Sequence, residues 1–303
     1  MGALASASPV CRLQRAQIEA RLKVCNPLPS LTCTNHSLNN LLAVENRYTN
    51  QICEVIRKDP SLCSRILHLV NCAYFGLATP VRQIEQAVFY LGLEQIRRLA
   101  LITPVIEDLK HLVDGSPFTW PEFWQHSIGT AIMTREVMEA AGQAAEETEY
   151  LAGLLHDVGK IVMASVFPDH FTDVQHCLRG VLQDLGEVET YVLGMDHSEL
   201  GALYLKSHNV PEVFVETARF HHAPLESQSS QTVVSAVQVA DLLIRHAQIG
   251  SSGNPNAVTR EHLFASAGWK ILFGSKSPKQ EIALADGFDL LLTELPAMLN
   301  SMV

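Results

Sequence analysis

The sequence predicts an all-α protein. Apolar residues recur at helical spacing along most of its 303 positions. Proline and glycine signals separate the runs at helix-like intervals. No hairpin signal or alternating run suggests strands, and no internal repeat or low-complexity tract interrupts the pattern. Apolar residues make up 47% and charged residues 18%, so the chain can bury a sizeable core and is not globally disordered. The length suits one large domain or two medium ones.

Met1 to Pro9 reads as a mobile tail. Cys11 to Val24 forms a first helix on Leu13, Ala16, Ile18, Leu22 and Val24. Pro27 and Pro29 break it by fixing their own φ and restricting the residues before them. Short helices follow over Ser37 to Glu45 and Asn50 to Lys58. Asp59-Pro60 is a strong helix start, with Asp59 capping the first amides and Pro60 at the first helical position. Leu62, Ile66, Leu69 and Val70 then recur at helical spacing, and Asn71 reads as a C-terminal cap. Glu85 to Leu91 stops at Gly92, and Leu93 to Lys110 carries a kink at Pro104.

His111 to Pro117 has no clear period and reads as the junction between two lobes. Trp120 to Ala141 is a long helix with Pro121 in its first turn and Gly142 as its stop. Trp120 and Trp124, one turn apart, read as core. Glu146 to Leu155, Ile161 to Phe167, Asp169 to Leu185, Glu187 to Leu193, Ser198 to Ser207 and Glu212 to Phe220 follow as helices. Thr232 to Ala247 is a Val-rich helix with one polar intruder, Asp241. Gly250 to Pro255 reads as a flexible loop. Arg260 to Phe273 and Glu281 to Leu299 close the chain, the last packing on the domain through Phe288, Leu291, Leu292 and Leu295.

A formal net charge of −10 argues against a general nucleic-acid or anionic-membrane binder. Seven cysteines form no C-x-x-C pair, which fits buried thiols in a reducing cytosol. The first residues lack the pattern of a signal peptide, and no apolar run reaches the ~18–20 residues that span a bilayer. A cytoplasmic protein is expected.

One stretch carries unusual chemistry: Leu154-Leu155-His156-Asp157-Val158-Gly159-Lys160. An adjacent imidazole and carboxylate suit a divalent metal, and the carboxylate can bridge two ions. Lys160 lies at i+4 from His156 and i+3 from Asp157, on the same face of a helix. A cation beside a metal-bound anion suits a phosphate substrate. Other metal-type side chains lie at or near the ends of apolar helices, or within them: His126 with Glu122 one turn before it, His197, the pair His221-His222, and Asp241. Taken singly, each histidine fits a core or surface position. As a set they can offset their burial cost by meeting around metal ions.

In order, H…HD…H…HH…D resembles the HD superfamily of metal-dependent phosphohydrolases, in particular its binuclear branch. That resemblance implies one ion held by His126, His156, Asp157 and Asp241. It implies a second ion held by His197, His221 and His222, with Asp157 bridging, and Lys160 touching phosphate. Glu122 matches a position that helps hold an extra ion in some HD-GYP relatives. The Gly-Tyr-Pro element of those relatives is replaced here by Ala223-Pro224-Leu225, which speaks against cyclic-dinucleotide hydrolysis.

A second resemblance covers about two-thirds of the chain, from Leu28 to Asp241. Leu28-Pro29-Ser30-Leu31, Ile56-Arg57-Lys58-Asp59-Pro60-Ser61-Leu62, Leu69-Val70-Asn71-Cys72-Ala73-Tyr74-Phe75-Gly76 and Phe123-Trp124-Gln125-His126-Ser127 are similar to the HDOD domain. So is the stretch from Ala152 to Lys160. Many HDOD domains have lost the metal ligands, whereas this chain keeps the whole set. Pattern and resemblance together lead to an expected division into a flexible tail over 1–10, an N-terminal helical lobe over 11–112, an HD-like metal-binding core over 113–249 and C-terminal helices over 250–303.

Three uses are open. The first is a bacterial regulatory module that binds metal and a phosphate-bearing ligand or nucleotide and signals to a partner protein. The second is a metal-dependent phosphohydrolase (a phosphomonoesterase, nucleotidase or cyclic-nucleotide phosphodiesterase) with Asp157 and Lys160 in catalytic roles. The third is a scaffold with a vestigial site. The expected cofactor is one or two divalent transition metal ions, Fe or Mn favoured over Zn, Ni or Mg. Expected partners are a signalling protein and the phosphate ligand, with no nucleic acid or membrane and with room for a homodimer.

Overall fold

The computed structural model describes residues 12–25, 80–92, 120–145, 147–179 and 183–299, and single positions 53, 56, 57, 63, 66, 67, 70, 71, 96, 108 and 111. Among these residues every regular element is a helix. The expected tail, the helix over 37–45, the Asp59-Pro60 start, the Pro104 kink and most of the 111–117 junction lie outside the described residues. None of the described helices is long and apolar enough to cross a membrane.

The chain divides into two compact units, one of Met1–Pro27 with Leu112–Leu292 and one of Leu28–His111 with Thr293–Val303. In the second unit Cys53, Ile56, Ile66, Val70, Ile84, Ala87, Val88, Leu91 and Ile96 form a buried apolar cluster. Its helical run over 84–92 ends at Gly92, whose φ of +75° is a left-handed conformation that glycine adopts without strain. The Asn71 side chain does more than end a helix. Its amide nitrogen donates to the Leu67 and Val81 carbonyls, both at 2.8 Å, and its oxygen accepts from the Val81 amide at 2.6 Å.

The first unit carries the rest. α1 (Arg15–Leu22) is shorter than the run from 11 to 24. It falls in this unit rather than with the N-terminal lobe, because Leu13 N–H donates to the Leu193 carbonyl and Arg15 pairs with Glu199. α2 (Trp120–Ala140) matches the expected long helix, and Gly142 beyond it has φ +72°. Trp124 is fully buried and stacks on Trp120 at 5.3 Å. α3 (Glu147–Leu155), α4 (Val158–Val166) and α5 (Pro168–Leu178) follow. The helix expected from 169 to 185 stops at Leu178, and α6 (Leu185–Val192) begins a new one. Asp184 has extended backbone and its carboxylate accepts from Gly186 N–H, so the sequence "Asp-Leu-Gly" is a cap and first turn rather than a helix end.

α7 (His197–Ser207), α8 (Glu212–Phe220), a single 3-10 turn (Pro224–Glu226) and α9 (Gln231–His246) complete the centre. α9 lies along α2, α7 packs on both α4 and α8, and α3 contacts α2, α8 and α9. The single helix expected over 260–273 is two, α10 (Arg260–Ala265) and α11 (Ala267–Phe273). Ser266 breaks it by taking an extended conformation and capping the Trp269 amide, which buries Trp269 completely. α12 (Pro278–Leu299), whose residues from Thr293 onward belong to the second unit, buries Phe288, Leu292 and Leu295 but leaves Leu291 40% exposed.

Candidate metal centre

The centre is built where small residues let helices touch backbone to backbone. A Cβ on Gly153 would lie 2.7 Å from the Ala131 Cα and 2.6 Å from the Thr134 Oγ1, so α3 sits directly on α2. That contact sets His156, one residue past α3, beside His126 in α2, with ring centroids 5.5 Å apart. A Cβ on Gly159 would lie 1.9 Å from the His197 carbonyl oxygen, and Gly201 faces Gly159 from the same helix. Only glycine lets α4 approach the start of α7 this closely, and the approach brings His197 to Asp157.

Asp157 and Asp196 both occupy helix N-cap positions, yet they do different things. Asp196 caps α7 by accepting from Glu199 N–H at 2.8 Å. Asp157 makes no side-chain bond to the amides of α4. Its carboxylate turns instead into the cluster. Its Oδ2 lies 3.3 Å from His156 Nε2 and 3.6 Å from His126 Nε2. Its Oδ1 lies 3.4 Å from His197 Nε2 and 3.6 Å from His221 Nε2. Asp241 of α9 reaches the first pair, with its Oδ1 at 3.2 Å from His126 Nε2 and 3.9 Å from His156 Nε2. His222 joins the second pair, its Nε2 lying 3.2 Å from His197 Nε2.

Two groups of side chains therefore have ligand atoms close enough to hold an ion: His126 with His156 and Asp157, and His197 with His221 and His222. The ring tautomers suit that role. The Nδ1 of His156 lies 2.7 Å from the Gly153 carbonyl and that of His221 lies 2.9 Å from the Ala218 carbonyl. A carbonyl only accepts, so each Nδ1 carries the proton and each Nε2 lone pair points inward. The inward atoms His126 Nε2, His156 Nε2, His221 Nε2 and Asp157 Oδ1 are buried without a hydrogen-bond partner. Orphaned buried donors and acceptors are costly, and a cation at their focus would satisfy them together. The residues present thus fit a metal site.

The electrostatics point the same way. Burial lowers the His126 and His221 imidazoles, the latter well below the usual histidine range with His222 adding to the effect. Desolvation and the neighbouring His197 bring His222 down to about 4, although the residue itself is exposed. Burial also pushes His156 down, but Asp157 and Asp241 outweigh it and leave its pKa raised. Burial alone would raise Asp157, yet His156 and Lys160 hold it well below the carboxylate range. Asp241 is held low against its burial by His126 and Arg245. Ionised carboxylates among mostly neutral imidazoles are the protonation states a cation requires.

Lys160 is buried, and its Nζ donates to Asp157 Oδ2 at 2.5 Å and to the Ser252 carbonyl at 2.7 Å. The segment 250–255, expected to be flexible, is pinned. Ser251 N–H donates to the Glu122 carbonyl at 3.0 Å, and Asn254 donates to Asp184 at 3.1 Å. Glu122 contributes that carbonyl, while its exposed side chain belongs to neither ligand group. A cleft of about 1100 Å3 opens beside the second group, lined by His197, His222, Arg245, Asn254, Leu242 and His262 among others.

Two residues of the centre escaped the sequence reading. Arg245, one turn after Asp241, pairs with its Oδ2 at 3.5 Å. The i+4 spacing was a visible signal. Glu189 accepts from His197 through both the ring and the backbone. Nothing in the sequence linked residues eight apart across a turn.

Comparison with known proteins agrees with this architecture. The HDOD domain model matches residues 28–224. An uncharacterised protein of Treponema pallidum (strain Nichols) is 28% identical over 208 residues, which is 65% of this chain but 38% of that longer protein. Among solved structures, an HDOD domain protein of unknown function from Geobacter sulfurreducens superimposes with a TM-score of 0.70 at 22% identity, covering 97% of this chain and 94% of that one. A proposed phosphohydrolase from Shewanella amazonensis SB2B gives 0.66 at 20% identity, covering 95% and 98%. A proposed signal transduction protein from Marinobacter aquaeolei VT8 gives 0.67 at 21% identity, covering 98% of this chain and 63% of that one.

Proposed function

The chain belongs to the HDOD domain family, and from that premise we propose that it is a bacterial signal-transduction module built around a two-ion metal site that takes a phosphate-bearing ligand. The observation that carries this reading is the Asp157 carboxylate, whose two oxygens face two separate histidine groups at 3.3–3.6 Å. Fe or Mn suits the mixed imidazole and carboxylate donors. Ligand occupancy at the site would be passed to a partner protein.

A second reading, a metal-dependent phosphohydrolase, is favoured by one further observation: the cleft at His197 and His222 gives a phosphoester a way in. Divalent ions bound at the two groups would supply Lewis acidity toward a phosphoryl oxygen and lower the pKa of a shared water. In that reading Asp157 and Asp241 hold the charge of the ions. Lys160, already 2.5 Å from Asp157, keeps that carboxylate ionised and places positive charge where phosphoryl oxygens would gather.

One experiment separates these readings. Metal content is measured on the purified protein and on Asp157→Asn, and both are assayed on phosphomonoesters, nucleotides and cyclic dinucleotides with Mn or Fe added. The module reading expects two ions in the wild type, near none in the variant, and no turnover in either. Turnover lost in the variant establishes the hydrolase instead. A wild type that takes up no metal overturns both.

A further inference from the structure

The second ligand group is short of negative charge. The first group has two carboxylates facing its rings, Asp157 and Asp241. The second has three imidazoles and only the shared Asp157. Three rings and a shared carboxylate bring less negative charge to a dication than two rings and two carboxylates do.

Glu189 stands there. It sits in α6, is 2% exposed, and uses one oxygen for two bonds. Its Oε2 accepts from the His197 backbone N–H at 2.8 Å and from His197 Nδ1 at 2.5 Å. A carboxylate only accepts, so the Nδ1 carries the proton and the Nε2 lone pair turns to Asp157 Oδ1 and His222. His156 and His221 are oriented by peptide carbonyls of their own helices. His197 alone among the three is backed by a charged group. In the turn between α6 and α7, Gly194 has φ +106°, a conformation open to glycine.

We infer that Glu189 is a positioning residue for the second ion: it fixes the tautomer of His197 and supplies the counter-charge its ligand group lacks. A hydrogen-bonded carboxylate behind a ligating imidazole raises the basicity of the ring, and removing such a partner typically weakens metal binding about 10–100-fold. This inference rests on the proposed two-ion site.

The test is a Mn(II) titration of the metal-free protein, its Glu189→Gln variant and its Glu189→Ala variant, with ring-nitrogen NMR of His197 recorded before metal is added. In Glu189→Ala the second-ion affinity falls by about 10–100-fold while the first-ion affinity stays within about twofold. Glu189→Gln keeps an acceptor oxygen but not the charge, so it keeps the tautomer and falls between. Equal loss of both ions in Glu189→Ala overturns the inference, because it marks a general packing role. Unchanged affinities overturn it too. Should Glu189→Ala not fold by circular dichroism, Glu189→Gln decides, and an unchanged second-ion affinity there is the refuting result. A wild type that holds a single ion defeats the two-ion reading, and the NMR then judges the positioning claim separately. An Nδ1–H ring in the wild type that loses its fixed tautomer in Glu189→Ala supports the claim, and an Nε2–H ring in the wild type refutes it.

Discussion

The two halves of the centre share Asp157 and otherwise differ in charge and access. On the Oδ2 side, His126, His156 and Asp241 are all at most 3% exposed, and two carboxylates meet two rings. On the Oδ1 side three rings meet one carboxylate oxygen, and His197 and His222 line an open cleft. The closed, charge-rich half is suited to hold an ion permanently. In the proposed two-ion site the open, nitrogen-rich half would be the one to exchange its ion and to meet a ligand.

The harshest way to break the comparison is Gly159→Ala. The added methyl meets the His197 carbonyl at 1.9 Å, and a backbone atom cannot swing aside. Overpacking of this kind costs roughly 1–3 kcal/mol. Thermal unfolding should show that loss, and metal titration should show the second ion weakened more than the first. Equal weakening would mean that the halves are not built independently.

A gentler pair of changes sharpens it. Asp241→Asn should weaken the closed half and spare the open one, while His221→Ala should do the reverse, so each variant retains about one ion by elemental analysis. Two variants that each lose both ions would show one cooperative site instead of two.

The pH dependence of the metal-free protein is a smaller effect. His126, His221 and His222 are lowered, so the unfolded chain binds protons that the folded chain refuses. Stability from these groups is complete above the unfolded histidine pKa of about 6.5 and declines as pH falls below it. For His222 the decline runs down to about 4. The raised His156 contributes with the opposite sign, so the net loss is that of three groups against one. Chemical denaturation of metal-free protein between pH 7 and pH 4 should show falling stability, and a flat profile would contradict the neutral-ring picture.

The smallest expected effect is Glu122→Gln. Its side chain is exposed and only its carbonyl holds Ser251, so metal stoichiometry should not change. Loss of an ion in this variant would extend the closed half to a third site.

Much of this was legible before any coordinates. The helix over Glu212–Phe220 carries its bounds in the sequence, with Asn209-Val210-Pro211 before it and the histidine pair after it. The burial of His126, His156, Asp157 and Asp241 was legible too, because each is a polar residue placed in or at the end of an apolar helix. The split at Ser266 was hidden, since a serine in an apolar run either continues a helix or caps the next one, and burial of Trp269 selected the cap.

What the sequence determined by itself is local: the helical period, the capping and breaking residues, and which side chains could not be buried alone. What only the tertiary structure decided is how those side chains divide. Asp157 serves two groups because Gly153 and Gly159 let α2 and α7 approach it from opposite sides. Glu189 and Arg245 gain their roles only through contacts made after folding. The periodicity of a helix is written in neighbouring residues. The pairing of charges at a site depends on distances across the fold, which no local pattern encodes.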